Sequence, residues 1–440
     1  MRTLMVQTPS GEGISSEKVY PIGIVSLASR LLESGQEVKV LDMNLSQDPF
    51  RTLKEMLLAF CPDVVGLSLR NIDLLGNKTS SLIPHFVTTV RLVASVLPKA
   101  CIVAGGTGFA LFPERLMRDL PEIRYGLIGE AEVTFPRILS SLNNPPLLRG
   151  LCARENGEIR IALPSHDFDM SRYPAPDRSI LDPSLYLNLN SYVPAVGVET
   201  KRGCSYGCSY CAYPKLQGSR VRCRRPTAVV DEMEFLHKEY GIGNFHFTDP
   251  VVNIPPGHLE EVCSELLRRK LKVRWDGFMR EDQFNESNAS LYEKAGCECF
   301  SFSPDGLCQE SLDALGKRLA EEDILKVARI VSKTDVVTVY HFMVNVPGET
   351  EKTAEKGAYL LGRLYELHRR KKNLGTVVLN NVRILPGTAI EKMARTEGVI
   401  GEETDLLYPT YYNPAPFDTL RYRLETLHFC NNTFIWQDIR

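Results

Sequence analysis

Between Lys201 and Pro214 the chain reads KRGCSYGCSYCAYP. Cys204, Cys208 and Cys211 fall within eight residues, with Tyr206 and Tyr210 between them. Thiols at this spacing suit one soft metal centre. Three is an odd number for a closed site, because structural zinc and iron–sulfur cubes usually take four ligands. Either a distant cysteine completes the set, or the fourth position is kept for a ligand that is not protein. Cys223, in RVRCRRP, is the next thiol along the chain. Zinc sites commonly pair their cysteines as two knuckles, and RVRCRRP lacks a second C-x-x-C, so the open position is favoured. Cys297 and Cys299, in AGCECFSF, are spaced i, i+2 and are expected on one strand face as core or wall. His258 and Cys263 share an amphipathic helix and are expected at surface and core, respectively.

A metal loop needs elements that hold it still. AVGVETKRGC reads as a strand running straight into the cysteines. Beyond it, helical stretches such as AVVDEMEFLHKEYG and GHLEEVCSELLRRK alternate with NFHFTD, KVRWDGFM, ECFSFSPDG, VVTVYHFMVNVPGET and TVVLNNVRILPGT, which read as strands. About six β/α units in a row predict a partial, TIM-like (β/α)6 barrel, whose chemistry belongs at the carboxyl ends of its strands. Those ends carry Thr248 and Asp249, Ser303 and Asp305, Asn345, and Arg383.

The first third alternates in the same way. LMVQTP, QEVKVLD, DVVGLSL, CIVAGG and IRYGLIG read as strands, separated by amphipathic helices. This predicts an α/β domain with a doubly wound, parallel, Rossmann-like sheet, which binds ligands at its strand carboxyl ends. Those ends are small, polar and glycine-rich. They contain Ser68, Arg70 and Asn71, then Gly105, Gly106 and Gly108, then Gly129 and Glu130. No G-x-G-x-x-G is completed at Gly106, which argues against a dinucleotide.

The chain of 440 residues has a formal net charge of -2, so it offers no global electrostatic case for binding nucleic acid. No apolar run approaches the length of a membrane span. With no leader-like start, the expected location is the cytoplasm, where a disulfide framework among the 12 cysteines is disfavoured. The basic runs RVRCRRP and HRRKK are expected on solvated faces, the first also within reach of an anionic cofactor or substrate.

C-x3-C-x2-C, with an aromatic residue directly before the third cysteine and a barrel around it, resembles the cluster motif of radical S-adenosylmethionine (SAM) enzymes. YPIGIVSLASRLLESGQEVKVLD, PDVVGLSLRNID, VAGGTGF and YGLIGEAEVTF resemble, in order, the cobalamin-binding domain that precedes many of them. The D-x-H-x-x-G motif of His-ligated cobalamin proteins is absent, as is common in this branch.

The resemblance implies that Cys204, Cys208 and Cys211 hold three irons of a [4Fe–4S] cluster and that SAM chelates the fourth. It places Tyr210, Thr248, Asp249, Ser303, Asp305, Asn345 and Arg383 around SAM, although many relatives have a Glu-Ser pair where this chain has SPDG. It places Ser68, Arg70, Asn71, Gly105, Gly106, Gly108, Gly129 and Glu130 around cobalamin, with Arg70 at the lower face of cobalt, which it cannot ligate. The implied domains are a cobalamin-binding domain over 1–145, a linker over 146–195, a radical SAM barrel over 196–395 and an aromatic-rich extension over 396–440.

The implied activity is methyl transfer from SAM, via methylcobalamin, to a carbon of a small-molecule or natural-product substrate. An external low-potential donor of the flavodoxin or ferredoxin type would supply electrons. YCAYP, RCRRP and FTDPVVN are also similar to a branch, including a tryptophan methyltransferase, in which SAM only methylates cobalt. The alternatives are a cyclase or rearrangement enzyme with the same cofactors, and a metal- or cobalamin-binding protein without catalysis.

Overall fold

The structure is a computed structural model that describes residues 1–11, 18–74, 80–143, 145–146, 148–155, 157–187, 189 and 193–412. The aromatic tail from residue 413 lies outside the described residues. The chain forms two compact units. One holds residues 1–169, 173–196 and 216–218; the other holds 170–172, 197–215 and the chain from 219 on.

The first unit is built on seven strands: β1 (Arg2–Gln7), β2 (Glu37–Asp42), β3 (Val64–Ser68), β4 (Cys101–Gly105), β5 (Ile123–Leu127), β6 (Leu151–Glu155) and β7 (Glu158–Ile161). Their order is β2-β1-β3-β4-β5-β6-β7, with β1 to β5 parallel. This is the doubly wound order in which the chain reverses direction beside β1 and opens a crevice at the strand ends. Val64, Val65 and Leu67 on β3 and Ile102, Val103 and Ala104 on β4 are all buried. Strands covered on both faces by helices read as continuous apolar runs for this reason. β6 and β7 extend the sheet as an antiparallel hairpin. They arise from a stretch expected to be linker, because LCARENGEIRI is short and half polar.

The second unit contains β8 (Gly197–Val198), β9 (Lys201–Arg202), β10 (Arg222–Cys223), β11 (Asn244–Phe247), β12 (Arg274–Met279), β13 (Cys297–Asp305), β14 (Val337–Val344), β15 (Leu374–Arg383) and β16 (Tyr411–Tyr412). β8, β11, β12, β13, β14 and β15 pair in sequence and in parallel, and β16 adds an antiparallel edge. Among the described residues no pair joins β15 back to β8, so the barrel is open, as expected of a partial (β/α)6 fold. Helices 226–240, 258–269, 286–294, 321–331 and 351–368 cover its outer face. Outward residues such as Phe245, Phe247, Trp275, Phe300, Phe302, Tyr340 and Phe342 are buried. Trp275 packs on Phe247 and Tyr292 and donates to Ala295 O at 3.0 Å, so the indole buries its apolar area with its polar atom satisfied.

The single strand expected to lead into the cysteines is broken. β8 joins the barrel, whereas β9 leaves it to pair with β10. Asp249 explains the break: its Oδ1 accepts from Thr200 N at 2.8 Å and Lys201 N at 3.1 Å, and its Oδ2 accepts from the Thr200 hydroxyl. A buried carboxylate thereby satisfies two amides that the ladder would otherwise have used.

Candidate active site

The cysteine loop leaves β9 through Gly203, which has φ +91. Cys204 is buried, and Cys208 and Cys211 are half-buried. Ser209 anchors the loop from both sides, donating its N–H to Leu315 O at 2.8 Å and accepting from Ile390 N at 2.9 Å. Cys211 N bonds Cys208 O at 3.1 Å, and Tyr213 N points at Cys211 Sγ at 3.5 Å. Burial pushes the Cys211 thiol up to about 12; the Tyr213 amide opposes this, and the Cys208 and Cys204 thiols add to it. The Cys208 thiol is also raised, first by burial, with Lys317 and Arg280 pulling it back. The three thiols therefore share one electrostatic environment.

Tyr210, between the second and third cysteines, donates its hydroxyl to Asp305 Oδ2 at the end of β13. The same oxygen accepts from Lys317 Nζ at 2.7 Å. Asp305 has φ +66, a left-handed conformation that aspartate tolerates better than most residues. Arg280, just past β12, places its guanidinium carbon 3.7 Å from the centroid of the Tyr206 ring. It also donates to Lys317 O at 2.6 Å and Arg318 O at 2.7 Å and pairs with Asp282 at 2.9 Å. The ends of β12 and β13 and the segment after helix 309–314 thus converge on the loop. Tyr206 and Tyr210, the two tyrosines between the cysteines, both serve in this network.

Below this layer the inner wall of the barrel is polar. His246, Asp276 and Cys299 are paired in register on three adjacent strands. His246 Nδ1 lies 2.6 Å from Asp276 Oδ1, and Cys299 Sγ lies 3.4 Å from Ser301 Oγ. His246, Phe278, Cys299, Ser301 and Ser303 are only partly buried, so solvent reaches the inner face. Closed barrels fill this space with branched side chains.

Several expected site residues have other work. Asp249 is 3% exposed and holds β9. Thr248 continues β11, bonding Val198 O at 3.1 Å, and its Cγ2 occupies the place of a Cβ at Gly197. Arg383 donates to Ile384 O, Thr410 O and Leu406 O, which ties down the last described segment. Asn345 is buried at φ +56 in the turn after β14. Cys223 pairs across from Lys201 and senses Lys201 and Asp249 rather than the loop thiols. A register shift between Trp275 and Asp276 puts Cys297 opposite Trp275 and Cys299 opposite Asp276, so the two cysteines do not share a face as expected. The run RVRCRRP is partly internal: Arg224 pairs with Glu232 at 2.6 Å, each side chain 1% exposed. His258, expected at the surface, is buried, with Nε2 2.9 Å from Arg224 O.

In the first unit, Ser68, Arg70, Asn71, Gly105, Gly106, Gly108, Gly129 and Glu130 fall at the carboxyl ends of β3, β4 and β5 and in the loops that follow. Arg70, Gly106 and Gly129 are exposed there. Gly106 has φ +96, and a Cβ on it would lie 2.5 Å from Leu69 O. Gly108 N bonds Leu69 O at 2.9 Å and Arg70 O at 2.8 Å. The two glycines are therefore required by the close packing of one strand-end loop on the next. Glu130 Oε2 accepts from Phe168 N at 3.4 Å.

Two family models match the chain. The Radical SAM superfamily matches residues 198–358, and the B12 binding domain matches residues 15–139. This chain is a radical SAM enzyme with a B12-binding domain. The cofactors that these two domains imply are a [4Fe–4S] cluster, SAM and cobalamin. An uncharacterised methyltransferase of Pyrococcus horikoshii is 25% identical over 363 residues, covering 81% of this chain and 76% of that protein. The anaerobic magnesium-protoporphyrin IX monomethyl ester cyclase of Synechocystis is 24% identical over 355 residues, covering 77% and 68%. The fold is similar to that of the radical SAM methyltransferase TsrM from Kitasatospora setae, solved with tryptophan and a SAM analogue. That match has a TM-score of 0.73 and 23% identity and covers 89% of this chain and 76% of the other.

The residues of this radical SAM enzyme fit its cofactors. Among the described residues, no three His, Cys, Asp or Glu side chains converge closely enough to hold a single ion. Three thiols on one loop, with Cys204 and Cys208 each influencing Cys211, suit a cube that takes one thiolate per iron. The rim of the first unit is exposed and rich in backbone, as a large polar ring laid across strand ends requires. Among the described residues no helix is long and apolar enough to cross a membrane. Sequence reading missed Arg280, Lys317, His246 and Asp276. Arg280 follows a recognisable strand and was accessible to the strand-end rule, whereas ALGKR gives no signal for Lys317.

Proposed function

We propose that this protein is a cobalamin-dependent radical SAM methyltransferase that moves a methyl group from SAM to a carbon of a small molecule. The observation that carries the proposal is the coupled thiol loop, braced by the Tyr210–Asp305–Lys317 network, in a chain that also has the B12-binding fold. When bound, the cluster, SAM and cobalamin supply low-potential electron transfer and methyl carriage. Cys204, Cys208 and Cys211 hold the cluster. Asp305 offers an acceptor to ribose hydroxyls, and Lys317 offers a cation to the SAM carboxylate. Ser303 and Thr248 add hydroxyls nearby, and Asn345 lines the next strand end. Asp249 and Arg383 support the site through the backbone. His246 and Asp276 form the polar wall facing the substrate. The strand-end rim that includes Ser68, Arg70, Asn71, Gly105, Gly106, Gly108, Gly129 and Glu130 would seat cobalamin. A flavodoxin- or ferredoxin-type donor supplies electrons.

The second reading, cyclisation without methyl transfer, is favoured by one observation: the Synechocystis cyclase matches nearly as much of the chain as the methyltransferase does. The test is to incubate anaerobically reconstituted holoenzyme with methyl-labelled SAM, reductant and a metabolite extract, then search by mass spectrometry. A product carrying the labelled methyl is expected. Consumption of a metabolite with label recovered only in methionine would overturn methyl transfer in favour of cyclisation.

A further inference from the structure

Glu281 follows Arg280 at the end of β12 and is 1% exposed. Among the described residues neither of its carboxylate oxygens has a hydrogen-bond partner on another residue; only its own backbone amide favours the charged form. Buried carboxyl groups are ordinarily paired, and a solitary one calls for an explanation. The groups that face it are Lys317 and Arg280, which favour its charge, and Asp305 and the Tyr340 hydroxyl. Lys317 is itself buried and lies between two carboxyl groups. It is bonded to Asp305 at 2.7 Å and electrostatically coupled to Glu281 and Cys208. Arg280 cannot readily turn toward Glu281, because its guanidinium is held by Lys317 O, Arg318 O and Asp282. Lys317 is therefore the cation that stands between a carboxylate it is bonded to and a carboxyl it is not.

We propose that Glu281 is a positioning residue for SAM that acts through Lys317. With its proton on, Glu281 leaves Lys317 to Asp305, and the pair is set to receive SAM. When Glu281 ionises, its proton passes to solvent and the bare carboxylate competes for the Lys317 ammonium. Asp305 then loses its partner and the SAM site loosens. Burial raises the Glu281 carboxyl to about 7, against the pull of Lys317, so the change falls near neutral pH. SAM binds better to the protonated form, so its affinity falls as pH rises through about 7. The inference rests on the reading that Asp305 and Lys317 contact SAM.

The test is calorimetric titration of SAM into the reconstituted protein from about pH 6 to about pH 8.5, for the wild type, Glu281→Gln and Asp305→Asn. In the wild type the Kd is expected to rise about tenfold across this range, the change produced by a one-unit difference in the Glu281 pKa between free and bound forms. Glu281→Gln, permanently neutral, should bind at every pH as the wild type does at the acid end. Titration of the SAM amine affects both proteins equally and cancels in the comparison. Parallel pH profiles for wild type and Glu281→Gln would overturn the proposal. Asp305→Asn separates the two layers of inference: weak SAM binding at all pH supports the site, whereas wild-type affinity removes the site and the proposal with it. Should Glu281→Gln not fold, infrared spectroscopy of the wild type decides. A protonated carboxyl band that disappears above about pH 7, persists in Glu349→Gln (burial raises the Glu349 carboxyl to about 7 as well) and moves when SAM is added is expected. A band indifferent to SAM would refute the coupling.

Discussion

The two units present their ligands with different chemistry. In the first, the strand ends offer backbone: Gly106 and Gly108 let one loop ride on another, and Arg70, Gly106 and Gly129 stand exposed. In the second, the strand ends offer buried charge: Asp305, Lys317, Arg280 and Glu281 are each less than a tenth exposed. A rim made of backbone binds a large ligand by shape and tolerates most side-chain changes. A pocket made of paired charges binds by electrostatics, and removing one partner strands the other. The difference teaches where each site is vulnerable: in the first unit at glycines, in the second at side chains.

The largest expected effect divides the two units. Cys208→Ala should abolish the iron and sulfide content after anaerobic reconstitution while corrin absorption is retained. Loss of both together would show that the sites depend on each other and would break the comparison. The converse change is Gly106→Ala. Its Cβ would meet Leu69 O at 2.5 Å, at a φ of +96 that alanine rarely adopts. The expected cost is about 3 kcal/mol, the sum of backbone strain and a displaced loop. Corrin affinity should fall while iron content stays at the wild-type value. Unchanged corrin binding would remove this rim from the cobalamin site.

Much of this architecture was legible in the sequence, because both units are repeated β/α modules with strong apolar strands. DVVGLSL and CIVAGG became β3 and β4 within a residue or two of their expected limits. The cysteine loop was legible because three thiols at that spacing have few other uses. What stayed hidden depended on single side chains crossing between elements. Asp249 sits at a strand end, where a ligand acceptor is expected, yet it turns back to bind Thr200 and Lys201. Lys317 reaches Asp305 from a helix-to-helix turn with no pattern of its own. The β-bulge that separates Cys297 from Cys299 shifts the face of one residue, and a period-two reading cannot register it. The basic run at Arg222–Arg225 looked solvated because Glu232, which neutralises Arg224, lies eight residues away on a helix.

The smallest expected effect sharpens the comparison by asking whether buried charge governs stability as well as binding. His258 sits under the buried Lys201, and burial, with Lys201 adding to it, lowers its imidazole to about 4 from an ordinary 6.5. The neutral ring is held by Arg224 O. A histidine depressed in the folded state contributes stability that is fully present above about pH 6.5. That stability is lost as pH falls through about 4, because the unfolded chain takes up the proton first. Between about pH 6.5 and pH 5 the loss amounts to about 2 kcal/mol, since each unit of unmatched protonation is worth about 1.4 kcal/mol. Urea unfolding at neutral pH and at about pH 5, followed by tryptophan fluorescence, should show this drop in the wild type. It should be smaller by about that amount in His258→Gln, which keeps an N–H donor for Arg224 O but cannot take up a proton; the remaining drop belongs to His341 and His368, whose imidazoles burial also lowers. The first unit has no counterpart: among its described histidines, His85 and His166, neither is comparably buried. An acid transition confined to the barrel unit would follow from the way that unit is built, around interior charges that stay balanced only while their neighbours remain neutral. An equal drop in wild type and His258→Gln would assign the acid sensitivity to other groups and leave buried charge as a feature of the binding site alone.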